Sequence, residues 1–502
     1  MLALHSGTRV LRRSSGPLVA SATQLRHLTS TSHAGEKRYY PPPEPFTSGG
    51  SDTISIEPSP FSTFGASPDL LTHYLSLQPA PLTLRQLMAQ GGKPGQALTP
   101  EQLLLSAQHT HRQLPIRLAR RVGGFRALPF IVGSNPFISR IARLYASSFE
   151  TLVKFGQIET QEDNVRFTAV IEDLVAAHAQ NIPTLARGFQ ASRKYMDARQ
   201  ISAFLDAAIH SRIAIRMIAE QHLALSATSN ELGHVRPKTT NNIRDEADDD
   251  HHHHHHTLDP DLPPEGTSSQ GHHQYGSPTA VGIIETQLSP ARMTRMCAAF
   301  VQDLCEGTLG AAPELRLEGD LDVTYTGVPV HLEYVMTELL KNSYRATTEN
   351  FFKSQQHDSS SISLSSVPPV IVTIAQSANH VSLRIRDQGG GISPQNLPHV
   401  FSYAFTTAGS AELDDAEETG GGPYAMQAVG GTGGDALAEM AKMGLASGLG
   451  TLAGLGYGLP MARIYAEYWK NGSALDLVSL YGHGCDTFVK LPRHIELSNT
   501  VI

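Results

Sequence analysis

The chain has 502 residues, of which 40% are apolar and 17% charged, and its net charge is −8. That length exceeds what one hydrophobic core sustains, so at least two domains are expected, and the balance suits a globular protein. No Lys/Arg tract offers the basic face that a nucleic-acid partner needs, and no uncharged apolar run is long enough to span a bilayer. Cys297, Cys305 and Cys485 show no CxxC spacing, which argues against a disulfide framework or a zinc site and fits a reducing compartment.

Residues 1–35 contain no Asp or Glu, while Arg9, Arg12, Arg13 and Arg26 are interleaved with Leu, Val, Ser and Thr. This is the make-up of a mitochondrial transit peptide; the plainer alternative is a disordered basic tail. Residues 36–67 are rich in Pro, Ser and Gly and read as a linker. From residue 68 to 227 the apolar spacing becomes helical, with one helix ending near Gly123-Gly124 and a second starting after Asn135-Pro136. Two more are expected over 167–177 and 198–225, and four long amphipathic helices with short joints suggest a bundle.

Residues 228–279 interrupt this pattern, with Asp248-Asp249-Asp250 running into six histidines, His251 to His256. Adjacent imidazoles on a low-complexity segment do not preorganise a specific metal site, so a solvated insertion is the expectation. The remainder, 280–496, reads as mixed α/β: a helix over 331–352, a polar insertion over 354–366, strands at 370–374 and 381–385, a helix over 459–469, and strands at 475–480 and 487–491. Residues 408–453, crowded with Gly and Ala, have the length and composition of a lid.

Three blocks carry chemistry. In the helix containing Glu338-Leu339-Leu340-Lys341-Asn342-Ser343-Tyr344-Arg345, residues Glu338, Asn342 and Arg345 fall at i, i+4 and i+7 and share a face. A carboxylate, an amide oxygen and a guanidinium there could serve a base, a metal ion and a phosphate; an ordinary solvated face has the same spacing. After a strand comes Asp387-Gln388-Gly389-Gly390-Gly391, a carboxylate able to accept from an exocyclic amine, although plain turns look similar. Gly454-Leu455-Gly456-Tyr457-Gly458-Leu459-Pro460 opens a helix, so its amides could hold phosphate, or it could be a hinge. It is neither a Walker loop nor a Rossmann fingerprint.

The order of these blocks (Asn-bearing helix, strand with Asp-x-Gly-x-Gly, lid, Gly-x-Gly-x-Gly before a helix) resembles the GHKL ATPase superfamily, which includes histidine kinases and type II topoisomerases. The amino-terminal runs Leu114-Pro115-Ile116-Arg117-Leu118-Ala119, Leu128-Pro129-Phe130 and Ser211-Arg212-Ile213-Ala214-Ile215-Arg216-Met217, together with Ala462-Arg463-Ile464-Tyr465-Ala466-Glu467-Tyr468, are similar to the mitochondrial 2-oxoacid dehydrogenase kinases. The branched-chain and pyruvate dehydrogenase kinases make up this family. The resemblance implies a four-helix bundle followed by a GHKL α/β sandwich. It implies an ATP-dependent serine kinase of the mitochondrial matrix that inactivates the E1α subunit of a 2-oxoacid dehydrogenase and docks on the lipoyl domain of the E2 core. Homodimers formed through the carboxy-terminal sheet are implied as well.

By position, Glu338 is the implied general base and Asn342 the ligand of ATP-bound Mg²⁺. Arg345, Asp387, Gly389, Gly391, Thr406, Thr407, Gly454, Gly456, Gly458 and Leu459 are implied to contact the nucleotide. K⁺ is implied on main-chain carbonyls of Val400, Ser402 and Phe405. Four departures stand out: Tyr334 precedes Glu338 by one turn where pyruvate dehydrogenase kinases carry His, Gly484-Cys485-Asp486 replaces Gly-Thr-Asp, the tail has no Asp-Trp pair, and the lid is long. Tyr334 and the tail tilt the reading towards the branched-chain type. A non-catalytic ATP-binding regulator and a protein-histidine kinase using His222 are the alternatives; a lone helical His is more often a packed residue.

Overall fold

The structure is a computed structural model that describes residues 68–233, 277–357, 366–403, 456–469, 472–493 and 499–500. The transit-peptide, linker, His-tract and lid segments fall outside these residues. The helical part runs α1 (Pro68–Ser76), β1 (Leu82–Thr83), α2 (Leu84–Gln90), α3 (Pro100–Arg126), α4 (Phe130–Gly133), α5 (Pro136–Lys154), α6 (Gln161–Ala177), α7 (Asn181–Ala191) and α8 (Ala198–Gly233). Starts are set by side chains that accept the free first-turn amides: Thr99 before α3 and Thr160 before α6 close capping boxes, and Asn135 caps α5 with Pro136 at its first position.

The long helix α3 packs against α5, α6 and α8. It does not stop at Gly123-Gly124 but continues to Arg126, because Val122 and Phe125 are buried and their packing outweighs the low helix propensity of glycine. A Cβ on Gly123 would come within 3.2 Å of Leu75 Cδ2, so the glycine lets α1 approach. Buried Arg117 reaches the Ala80 carbonyl at 2.7 Å, and Arg120 reaches that of Leu77 at 3.1 Å, which ties the segment after α1 to α3. Helix α8 passes the expected boundary at 227, and α2 and α7 are helices the spacing did not indicate.

His222 on α8 is wholly buried. Thr168 donates its hydroxyl proton to the Asn164 carbonyl, so its oxygen must accept from His222 Nε2–H at 3.1 Å. Nδ1 is then left to accept from the Ser106 hydroxyl, also at 3.1 Å. Both ring nitrogens are engaged inside the core, so His222 is a packing residue and not a phosphoacceptor. Burial pushes its pKa down to about 4, below an unfolded value of about 6.5. Between those two pH values the unfolded chain takes up a proton that the folded chain refuses, so stability falls as pH drops through this window, by up to about 3 kcal/mol from this site. Urea midpoints are expected to decline from pH 7 to pH 5, and His222→Gln should flatten part of that decline. An equal slope in the variant would refute the assignment.

The second part contains β2 (Ala280–Val281), β3 (Ile284–Leu288), α9 (Pro290–Leu309), β4 (Leu315–Gly319), β5 (Tyr325–Gly327), α10 (Pro329–His357), β6 (Val370–Gln376), β7 (His380–Arg386), α11 (Gly458–Glu467), β8 (Ala474–Leu480), β9 (Gly484–Pro492) and β10 (Asn499–Thr500). A five-stranded sheet has the order β4-β6-β7-β9-β8, in which only the β4–β6 pair is parallel. A second sheet joins β2, β3 and β5, and β10 pairs with β1.

Strict alternation puts Val370, Val372 and Ile374 of β6, and Val381, Leu383 and Ile385 of β7, on the buried face. Helix α10 lies against that face and against α9 and α11. It runs to His357, into the stretch expected to be an insertion from Ser354. Among the described residues no helix is long and apolar enough to cross a membrane, and no group of three or more His, Cys, Asp or Glu is placed to hold a metal ion.

Candidate active site

A cavity of about 410 Å³ opens between α10, the turn after β7, the start of α11, and strands β8 and β9. Glu338, Asn342, Arg345, Asp387, Gly389, Gly391, Val400, Gly456, Gly458 and Leu459 all line it, so residues from all three sequence blocks meet in one place. Ser402 is half-buried and does not line it. Gly454, Phe405, Thr406 and Thr407 lie outside the described residues.

The carboxylate of Glu338 is buried, and its Oε1 accepts from Lys341 Nζ at 2.6 Å, one turn along α10. Its Oε2 lies against Gly458: a Cβ there would come within 2.3 Å of that oxygen. Gly458 therefore serves two purposes, a backbone amide at the α11 terminus and room for the carboxylate. Only the first was legible in the glycine spacing. Asn342 is exposed to the cavity, and its amide has no hydrogen-bond partner among the described residues. Arg345 lines the same wall and pairs with Glu349 at 3.1 Å, one turn along α10.

At the other end, Asp387 Oδ1 accepts from the amides of Gly389 at 2.9 Å and Cys485 at 3.0 Å. Its Oδ2 receives only a long contact of 3.4 Å from Ser343 Oγ. Burial raises its pKa, against the pull of those three donors. One carboxylate oxygen is thus committed to holding β9 and the glycine turn, and the other keeps acceptor capacity. The turn itself depends on Gly391, whose φ of +72° and closeness to the Leu480 carbonyl (2.5 Å from a built Cβ) exclude a side chain. Asn350 and Thr347 brace it from α10 by bonds to the Gln388 carbonyl at 2.9 Å and from the Gln388 amide at 3.2 Å.

Lys341, Ser343, Asn350, Thr347 and Thr487 were not singled out from the sequence. Lys341 stands three residues after Glu338, a spacing at which side chains on a helix meet, and this was the available signal. The stretch after β7 is tied to the helical part: Tyr403 donates to Asp206 Oδ1 on α8 at 2.6 Å.

A cavity with a free acceptor at one end, a free amide in the middle and a glycine-lined helix terminus beside a carboxylate fits a nucleoside triphosphate with Mg²⁺. The Asn342 oxygen can supply one protein ligand, with phosphate oxygens and water completing the shell. Comparison with known proteins agrees. Residues 327–495 match the family model described as histidine kinase-, DNA gyrase B-, and HSP90-like ATPase. Residues 81–258 match that of mitochondrial branched-chain alpha-ketoacid dehydrogenase kinase. A mitochondrial [pyruvate dehydrogenase (acetyl-transferring)] kinase of Arabidopsis thaliana is 30% identical over 82% of this chain and 90% of its own.

The chain belongs to the mitochondrial 2-oxoacid dehydrogenase kinase family. The Ascaris suum pyruvate dehydrogenase kinase is 26% identical over 84% of this chain and 85% of its own. Human pyruvate dehydrogenase kinase isozyme 4 is 23% identical over 85% and 84%. The kinase is an ATP-dependent enzyme of the GHKL superfamily, and ATP with Mg²⁺ goes with that membership.

Proposed function

We propose that the kinase transfers the γ-phosphoryl group of ATP to a serine hydroxyl on the E1α subunit of the pyruvate dehydrogenase complex in the mitochondrial matrix and so inactivates it. The observation that carries this is the convergence of Glu338, Asn342, Asp387 and Gly458 on one cavity, in a chain similar along its length to named pyruvate dehydrogenase kinases. Those relatives outweigh the tilt towards the branched-chain substrate given by Tyr334.

In the proposed reaction Asp387 accepts from the adenine amine, and Asn342 holds the Mg²⁺ that neutralises phosphate charge. The amides of Gly456 and Gly458 at the α11 terminus face the phosphates, as would Gly454, while Thr406, Thr407 and Leu459 complete the nucleotide contacts. Glu338 removes the serine proton as the serine oxygen bonds to the γ-phosphorus and the bond to the bridging oxygen breaks, releasing ADP. The transition state of such transfers is loose, so positioning and charge neutralisation dominate. K⁺ on carbonyls of Val400, Ser402 and Phe405 is part of the reading; a rate unchanged when Na⁺ replaces K⁺ would remove it.

Residues 1–35 are assigned to the transit peptide, 68–227 to docking on the lipoyl domain of the E2 core, and 280–496 to catalysis. Dimerisation through the outer face of the five-stranded sheet is supported by exposed Val478, Leu480, Tyr481 and Phe488 around edge strand β8. Val478→Lys with Leu480→Lys is expected to convert a dimer to a monomer by sedimentation, without loss of ATP binding. A variant that stays dimeric would move the interface elsewhere.

The deciding experiment is radiolabelled phosphate transfer to purified pyruvate and branched-chain E1α in parallel. Acid-stable serine phosphate on the pyruvate enzyme is expected. Preference for the branched-chain enzyme would reassign the substrate, acid-labile label would make it a histidine kinase, and no label on either would leave a non-catalytic ATP-binding regulator.

A further inference from the structure

Two stretches of the chain are rich in cations and empty of anions. Residues 102–149 hold seven Arg and no Asp or Glu, and residues 174–196 hold Arg187, Arg193 and Lys194, again with no carboxylate. The fold brings their ends together. Phe204, near the start of α8, packs on Phe125 at the end of α3 and on Phe189 at the end of α7, with ring centroids 5.3 and 5.1 Å apart. Gly188 of α7 leaves room for the start of α5, since a Cβ there would meet Ile138 Cγ1 at 2.6 Å. One end of the helical part therefore carries half-buried Arg126 and exposed Arg140, Arg187, Lys194 and Arg199. The apolar side chains of Phe130, Ile131, Phe137 and Tyr195 are exposed on the same helix ends.

The guanidinium groups of Arg126, Arg140, Arg187 and Arg199 have no hydrogen-bond or ion-pair partner among the described residues. The carboxylates at hand are engaged: Asp197 accepts from the Arg199 amide at 2.9 Å, and Asp206 accepts from Tyr403. This end also adjoins the phosphate end of the cavity. Tyr403 packs on Tyr457, with ring centroids 5.2 Å apart, and Tyr457 immediately precedes Gly458. Burial pushes the Tyr457 hydroxyl up to about 12, and Arg193 is near enough to pull the other way. A protein that brings a serine to Glu338 and Gly458 must lie across this border. We propose that the cationic, apolar-tipped end of the helical part is the docking surface for an acidic segment of the protein substrate, holding E1α while its serine reaches the γ-phosphate. The inference rests on the serine-kinase reading above and adds to it the surface that receives the substrate.

Charge selects the occupant. Cations gathered at one end repel one another and any basic partner over about 8 Å at physiological salt, and an acidic partner relieves that repulsion. The chain as a whole carries −8, so the positive field is a local property of this end and gives an acidic partner an orientation as well as an attraction. Arginine and aromatic side chains are also the types enriched where proteins meet, and apolar groups rimmed by charge mark such places. The two components act differently. Rim charges steer encounter and make it sensitive to salt, whereas buried aromatic anchors hold the complex once formed.

Phosphorylation kinetics of E1α, free of E2, by the full-length chain test this. Reversing three charges together (Arg140→Glu, Arg187→Glu and Arg199→Glu) should raise KM for E1α by about 10-fold or more at low salt. ATP affinity and the melting temperature should hold, because none of the three side chains lines the nucleotide cavity or is buried. Neutralising the same residues to Gln should raise KM by less, and the three proteins should converge as salt is added. Phe130→Ser with Ile131→Ser should also raise KM, by a factor that salt does not change. An unchanged KM overturns the proposal, as does a KM lowered by charge reversal, which would mean a basic partner. Loss of binding to the isolated lipoyl domain, or to phosphatidylcholine–cardiolipin vesicles, with KM for E1α preserved would overturn it in favour of that partner. Absence of E1α labelling by the wild type would instead overturn the kinase reading on which the proposal stands.

Discussion

Glu338→Gln is expected to lower kcat for serine phosphorylation by about 10²- to 10⁴-fold, the usual worth of a positioned general base, while ATP affinity stays within about threefold. The amide keeps the size and hydrogen-bonding shape of the carboxylate, so the fit against Gly458 persists. What it loses is basicity and charge. Lys341, whose side chain is 14% exposed, would keep an acceptor in the amide oxygen but lose the opposite charge now at 2.6 Å, and the uncompensated positive charge should hold ATP slightly more tightly. A split between kcat and nucleotide affinity is therefore the signature to look for. Single-turnover labelling of E1α by wild type and variant, with ATP binding measured alongside, separates the two quantities. Undiminished labelling by Glu338→Gln would remove Glu338 from the reaction and point to the substrate or solvent as the proton acceptor.

The parts of this site that could be read from the sequence are those whose signal is local. Glu338, Asn342 and Arg345 share a face because helix periodicity requires it. Asp387 precedes a glycine turn because a strand ends there, and strands β6 and β7 announce themselves by alternation of β-branched residues. Other features depend on what is far away in the chain. Strands β2 to β5 are short, and β4 has only intermediate or exposed positions, so no alternation marks it. Helix α9 carried a legible start (Ser289-Pro290) and stop (Gly310 at φ +79°) that periodicity alone did not bring out.

The continuation of α3 past two glycines, the need for Gly458 to admit a carboxylate from α10, and the place of Thr487 in the cavity lining are all consequences of packing between distant segments. The ambiguity over His222 was resolved in the same way. Sequence gives a histidine on a helix, whereas Ser106 and Thr168, 116 and 54 residues away, decide its role.

Asp387→Asn is expected to weaken ATP binding by about 100-fold and to narrow the preference for ATP over ITP. The single amide oxygen would be taken by the Gly389 and Cys485 amides, now at 2.9 and 3.0 Å from Oδ1, because leaving two buried donors unpaired costs about 1–3 kcal/mol each. That choice turns the amide NH₂ towards the base, where it meets the adenine amine donor to donor. A charge-assisted hydrogen bond worth about 1.5–3 kcal/mol is lost, and a mismatch takes its place. Inosine carries a carbonyl at the same position, which the new NH₂ can satisfy, so ITP should lose much less. The variant should stay folded, since the oxygen that holds β9 to the turn is retained. Asp387→Ala lacks that oxygen and should melt several degrees lower as well as losing ATP. Competition binding with ATP and ITP, run beside thermal melts of both variants, checks each step. Equal losses for the two nucleotides would mean that Asp387 supports the wall of the cavity and does not read the base.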